Sequence, residues 1–210
     1  EGRVSRIKEI KITGNHAYSE SELLGELPLS TSNIVTYFTK KDQYSKATLD
    51  AALEALRSFY LDRGYMKFRI LSSQVLLAPD KKDVFINIHL YEGAQYHVSG
   101  IEVIGHTKLS HQVIRSLIKI QEGDIFSRKK ISESTTLIGN AYGDIGYGFP
   151  VINANPIIDD VNKTVKIQFV VDPGRHVYVR RINFSGNTKT ADYVLRNVVK
   201  QDESAIISLH

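Results

Sequence analysis

Apolar residues recur along this chain three times in the same phase. Gly2, Gly93 and Gly174 are each followed twelve residues later by a second glycine, at Gly14, Gly105 and Gly186. Between the two glycines, apolar side chains fall at the fifth position (Ile7, Val98, Val179), the eighth (Ile10, Ile101, Ile182) and the tenth (Ile12, Val103, Phe184). Self-similarity at fixed offsets is the mark of a repeat architecture. The step from eighth to tenth is the alternation of a half-buried strand. The step of three before it breaks that alternation and predicts a bulge, or a strand that begins near the seventh position.

In every copy the strand signal gives way to helical spacing. Ser19-Glu20-Ser21-Glu22 has the form of a capping box, in which hydroxyl and carboxylate satisfy N–H groups that a first helical turn leaves free. Leu23, Leu24 and Leu27 then supply an apolar face, as do Val113, Ile114, Leu117 and Ile118 in the second copy and Val194, Leu195, Val198 and Val199 in the third. A second helix is predicted from the stripe Leu49, Ala52, Leu53, Leu56, Tyr60. Its counterpart, 82 residues on, reads Ile131, Ser134, Thr135, Ile138, Tyr142, and the two polar residues predict a looser second core. Both helices stop at Gly-Tyr, Gly64-Tyr65 and Gly146-Tyr147, where glycine can take the left-handed conformation.

Beyond Gly-Tyr, paired extended runs flank turn-rich segments. They are Met66 to Leu77 with Val84 to Tyr91, and Val151 to Ile158 with Thr164 to Val171. Each complete unit is therefore strand-helix-helix-strand-strand, an α+β fold with two helices on a three-stranded sheet. The predicted division is residues 1–2 as the end of a preceding unit, 3–93, 94–174, and 175–210 as an incomplete unit. The first complete unit is ten residues longer, and most of the excess falls near Ser30 to Phe38, a candidate surface feature.

Because the last strand returns through a hairpin, it is placed centrally, with the strand after Gly-Tyr at an edge. Pro150 and Pro156 flank and interrupt that edge in the second unit. The first-unit counterpart has no proline, so its backbone groups are free to pair with another chain. Its candidate binding residues are Met66, Phe68, Ile70, Leu71, Ser72, Ser73, Gln74, Val75, Leu76 and Leu77, with Val75 and Leu77 expected to pack inward. The orphan strand of the third unit, Tyr178, Val179, Arg180, Arg181, Ile182, Asn183 and Phe184, has no hairpin and is expected to pair with another copy's edge.

Composition removes several functions. With 210 residues and 42% hydrophobic content the chain suits two compact domains. No stretch approaches the roughly 20 consecutive apolar residues of a membrane-spanning helix, and the opening EGRVSRIKEI lacks the apolar centre of a signal peptide. Cysteine is absent, which removes disulfides and thiolate chemistry. The 27 basic and 23 acidic residues are interspersed, without the charge run of a nucleic-acid arm. His106 and His111 lack the spacing and carboxylates of a zinc site, and the glycines of GDIGYGFP follow a helix instead of opening one, the reverse of a phosphate loop. The reading is a non-enzyme with no catalytic residue, cofactor or metal.

The Gly-Asn or Gly-His after each alternating strand, YLDRGY at 60–65, PDKK at 79–82, NKTVKI at 162–167 and VYVRRINFSGN at 177–187 together resemble the POTRA repeats of the BamA family. The likeness covers essentially the whole chain, in the register of the family's third and fourth repeats and the opening of its fifth. It implies a periplasmic arm of an outer-membrane protein whose own C-terminal β-barrel lies in the membrane. Implied partners are nascent outer-membrane β-barrel proteins, accepted by strand addition, and the lipoproteins BamB and BamD. The BamB surface would map onto Leu71 to Leu77. Where the family's fifth repeat commonly carries Arg-Glu, this chain has Asn197-Val198, which leaves Arg196 as the candidate lipoprotein contact. A purely structural spacer is the alternative, and a two-partner secretion transporter or plastid import pore would carry the same domain type.

Overall fold

A computed structural model describes residues 6–27, 42–79, 83–186, 189–199 and 203. The chain divides at His97/Val98 into two compact units, with residues 125–128 and 160–163 belonging to the first. The segment around Ser30 to Phe38, Gly2 and part of PDKK lie outside the described residues.

The first unit holds β1 (Arg6–Thr13), α1 (Glu20–Glu26), α2 (Asp42–Leu61), β2 (Arg69–Leu77) and β3 (Asp83–Tyr91). The order across its sheet is β1-β3-β2, with β1 parallel and β2 antiparallel to the central β3. The broken alternation before Ile10 is a bulge, between Ile7 and Glu9. The capping box forms as the residue types require: Ser19 Oγ accepts from Glu22 N–H, while the Glu22 carboxylate accepts from Ser19 N–H at 2.8 Å. β3 alternates cleanly. Val84, Ile86, Ile88 and Leu90 are buried and pack with Ile10 and Ile12 of β1, Leu23 of α1, and Ala52, Leu56 and Tyr60 of α2. α2 ends where Gly64 takes a φ of +91° and Tyr65 N–H donates to Tyr60 O at 3.0 Å.

The second unit repeats the plan with β4 (His97–Gly105), α3 (His111–Leu117), α4 (Arg128–Asp144), β5 (Val151–Asp159) and β6 (Thr164–Asp172), in sheet order β4-β6-β5. Val165, Ile167, Phe169 and Val171 form its buried central stripe, and Gly146 ends α4 as Gly64 ends α2. Here the polar positions of the α4 stripe find partners. Ser134 is fully buried, its hydroxyl donating to Lys130 O at 2.6 Å and accepting from Lys119 N–H at 2.8 Å. The polar residue ties the loop after α3 to α4, and among the described residues no buried side-chain polar atom lacks a partner. Thr135 turns its hydroxyl to Ser132 O instead.

Two expectations change. β2 begins at Arg69, because Met66 and Phe68 N–H groups close turns onto Gly64 O and Tyr65 O. The predicted third first-strand is not a strand: residues 179–185 take no regular structure before α5 (Asp192–Val198). A first strand of this fold is stabilised by its parallel central partner, as β1 is by β3, and the described residues after Gly174 include no such strand.

Candidate functional site

β2 is an edge strand, and one hydrogen bond fixes which of its backbone groups are free. Ala78 N–H donates to Asp83 O at 2.9 Å, so this pair is bonded across the β2–β3 ladder. Bonded and non-bonded pairs alternate in an antiparallel ladder. Leu77–Val84, Val75–Ile86 and Ser73–Ile88 are therefore non-bonded pairs. Consistent with this, Ile88 O faces away from β2 and accepts from Thr13 Oγ1. The N–H and C=O groups of Ser73, Val75 and Leu77 consequently point to the open side, while those of Ser72, Gln74 and Leu76 serve the ladder.

Side-chain placement corrects the inward packing expected of Val75 and Leu77. Register puts them on the helix-bearing face beside Ile86 and Val84, yet they are 45% and 52% exposed. The core draws its buried strand residues from β1 and β3, and from β2 only Ile70 is packed against it, partly buried. Leu71 and Leu76 are half exposed as well. From Ile70 to Leu77 there is no charge and no proline, and after the irregularity at Leu71, between Ile70 and Ser72, the register runs unbroken. Charges, prolines and bulges are the usual means of blunting an edge. Residues 72–77 use none. Of the other candidates on this strand, Met66 lies in the preceding turn, and Phe68 is buried, its ring stacked on Tyr60 at 4.4 Å.

The matching edge of the second unit differs at its middle, where Pro156 stands in place of Val75. β5 pairs with β6 without a register shift, and Val171 O accepts from His106 N–H at 3.1 Å, away from β5. Ile152, opposite Val171, is thus unbonded to β6, and by alternation so are Ala154, Pro156 and Ile158. Pro156 faces Ile167 as Val75 faces Ile86. Its ring nitrogen sits on the open side, where no ladder bond is lost, and deprives the middle of that edge of a donor.

The described residues after Gly174 bring together two other candidates. Val177 N–H donates to Gly146 O, and His176 bridges Tyr147. Farther on, Arg196 reaches back from α5: it donates to Ile182 O at 3.1 Å and to the Glu203 carboxylate at 2.9 Å, and lies over the Phe184 ring. Glu203 also accepts from Ile182 N–H at 2.9 Å, and these contacts, Arg196 foremost, hold its carboxyl below the ordinary range. Arg196 therefore has partners within its own chain. The residue types gave no signal for this, since seven positions separate Arg196 from Glu203. Among the described residues no cluster of histidine and acidic side chains is placed to hold a metal ion.

Comparison with known proteins identifies the repeated unit. The POTRA family model, described as a surface antigen variable number repeat, matches residues 5–93 and again 96–174. The outer membrane protein assembly factor BamA of Neisseria meningitidis serogroup B is 30% identical over 98% of this chain and 26% of its own length. The BamA of Buchnera aphidicola is 34% identical over 97% of this chain and 33% of its own length. This chain thus spans about a quarter to a third of those curated relatives. A crystal structure of POTRA3-5 of Haemophilus influenzae BamA superposes with a TM-score of 0.81 at 29% identity, covering 99% of this chain and 81% of that one. With two tandem matches and the same sheet and helix order in both units, the chain belongs to the POTRA family, and its repeats are of the kind found in BamA.

Proposed function

We propose that this chain is a stretch of the periplasmic arm of an outer-membrane β-barrel assembly factor, a non-catalytic polypeptide-binding scaffold. Residues 3–93 and 94–174 act as its third and fourth repeats, and 175–210 as the opening of the next. The β2 edge accepts extended segments of nascent β-barrel proteins by strand addition, and lipoproteins of the BamB and BamD kind dock on the same arm. The observation that carries this reading is the unblunted edge at Ser73, Val75 and Leu77. Each added backbone bond contributes about 0.5–1.5 kcal/mol net. A few such bonds, offset by the cost of ordering the peptide, give the weak, sequence-tolerant contact that a handoff needs.

The proline-divided edge of the second unit favours a spacer role for that unit alone. An NMR titration with a peptide from a barrel strand tests the assignment. Shifts confined to amides of residues 72–77 support it, and unperturbed spectra at millimolar peptide would leave both units as spacers.

A further inference from the structure

We infer that the β2 edge reads the phase of the strand it accepts. It takes, antiparallel, a segment whose apolar side chains stand on the residues that hydrogen-bond to Ser73, Val75 and Leu77, with polar side chains between them. This rests on β2 being a strand acceptor and adds which strands it prefers.

The argument follows from register. In an antiparallel pair, two residues that exchange backbone bonds lie directly opposite one another and share a face. A guest residue bonded to Val75 therefore emerges on the helix-bearing face, beside Val75, and its second neighbour stands beside Leu77 or Ser73. Val75 and Leu77 are the half-exposed apolar groups on that face, and apolar guests would remove them from water. The guest's intervening residues emerge on the opposite face, beside Ser72, Gln74 and Leu76, two of which are polar.

Absence of charge from Ile70 to Leu77 leaves no side chain of the open stretch, residues 72–77, to pair with a charged guest on either face, and the strand's one charge, Arg69, stands before the irregularity and over the Tyr91 ring. The occupant is therefore an uncharged, alternating segment, and six edge residues at about 3.3 Å each accommodate a guest of six or seven. Antiparallel addition is favoured because its bonds run straight across the pair and are slightly more stable. Parallel addition would set the bonded guest residues beside Gln74 and Leu76 and reverse the phase.

A free alternating peptide can slip by one residue, so the phase must be fixed chemically. Three seven-residue peptides of one alternating Val/Gln sequence serve with the 210-residue chain. One is unmodified, one is N-methylated at its polar positions and one at its apolar positions. Methylation leaves only the other set able to donate to the edge. The peptide methylated at polar positions is expected to bind on the order of fivefold to tenfold tighter than the other, from two apolar cross-strand pairs. Val75→Gln should remove most of that difference while leaving the weaker peptide unchanged. Equal affinities, or the reverse order, with shifts at residues 72–77 would overturn the phase preference and leave strand acceptance standing. If the unmodified peptide also fails to perturb those residues, both readings fall.

Discussion

The Tyr60 hydroxyl donates to the Glu92 carboxylate at 2.7 Å, and that carboxylate also accepts the Ala17 N–H. One buried group thus joins the end of α2, the end of β3 and the loop between β1 and α1. The second unit reaches the same closure differently. Pro173 stands where Glu92 would, and Tyr142, the counterpart of Tyr60, accepts the Lys108 N–H directly at 3.1 Å. The tyrosine keeps its place and changes from donor to acceptor.

Glu92→Ala would leave the Tyr60 hydroxyl and the Ala17 N–H without their acceptor. A loss of about 2–3 kcal/mol is expected from urea unfolding, against about 1 kcal/mol for Tyr142→Phe in the second unit. Because Tyr60 and Glu92 share the contact, Tyr60→Phe with Glu92→Ala should cost clearly less than the sum of the single changes.

The same contact predicts alkaline sensitivity. Burial foremost, then the Glu92 hydrogen bond and charge, raise the Tyr60 phenol well above its ordinary value of 10.0. A raised acid contributes its stability in full below the unfolded value, and the contribution is lost as pH rises from there toward the folded one. The urea midpoint of the first unit should therefore fall above about pH 10, and Tyr60→Phe should flatten that fall. An unchanged slope in the variant would remove Tyr60 as its cause.

At the acid end the capping box should give way. Hydrogen bonds from the Ser19 side chain and then its backbone hold the Glu22 carboxyl below its ordinary value of 4.5. A depressed carboxyl contributes above the unfolded value and loses that contribution as pH falls through the folded one. Ser19→Ala should cost about 1 kcal/mol at pH 7. Glu22→Gln should lower the wild-type stability at neutral pH and converge with it in acid, as read by urea unfolding at both pH values.

The repeated glycines are not equivalent. A Cβ on Gly14 would run into Leu90 O, and one on Gly105 into Val171 O, both carbonyls of a central strand, with φ values of +88° and +104°. A Cβ on Gly186, at φ +85°, would meet nothing within 4 Å among the described residues. Alanine at Gly14 or Gly105 should therefore cost about 2 kcal/mol or more, whereas Gly186→Ala should cost only the left-handed backbone, about 1 kcal/mol. Thermal or urea unfolding of the three variants would rank them.

These glycines also mark what the amino-acid pattern could disclose. The glycine pairs Gly93/Gly105 and Gly174/Gly186 with their left-handed backbone, the capping box at Ser19, the α2 and α4 stripes and the Gly-Tyr stops are local features, and they reappear among the described residues. The central place of β3 and β6 was legible too, because a hairpin constrains topology. What was hidden depends on contacts between distant positions: Ser134 as a tie to Lys119, Glu92 as a shared acceptor, and Arg196 holding Ile182 and Glu203. Val75 and Leu77 misled for a related reason. Alternation assigns a strand residue to a face, but only the extent of the covering helices decides whether that face is buried at the sheet's edge.

Proline offers the sharpest separation of ladder from edge. Val75 and Pro156 occupy the same place in their hairpins, opposite Ile86 and Ile167. Since the missing N–H would face the open side, Val75→Pro should change stability by less than about 1 kcal/mol while abolishing strand addition. One residue away, Gln74 N–H belongs to the ladder with Asn87, and Gln74→Pro should cost about 3 kcal/mol or more. Conversely, Pro156→Val would restore a donor at the middle of the second edge, between Ala154 and Ile158. Peptide-induced shifts should then spread to amides from Ile152 to Ile158. If Val75→Pro binds the peptide as well as wild type does, the guest contacts this unit somewhere other than β2.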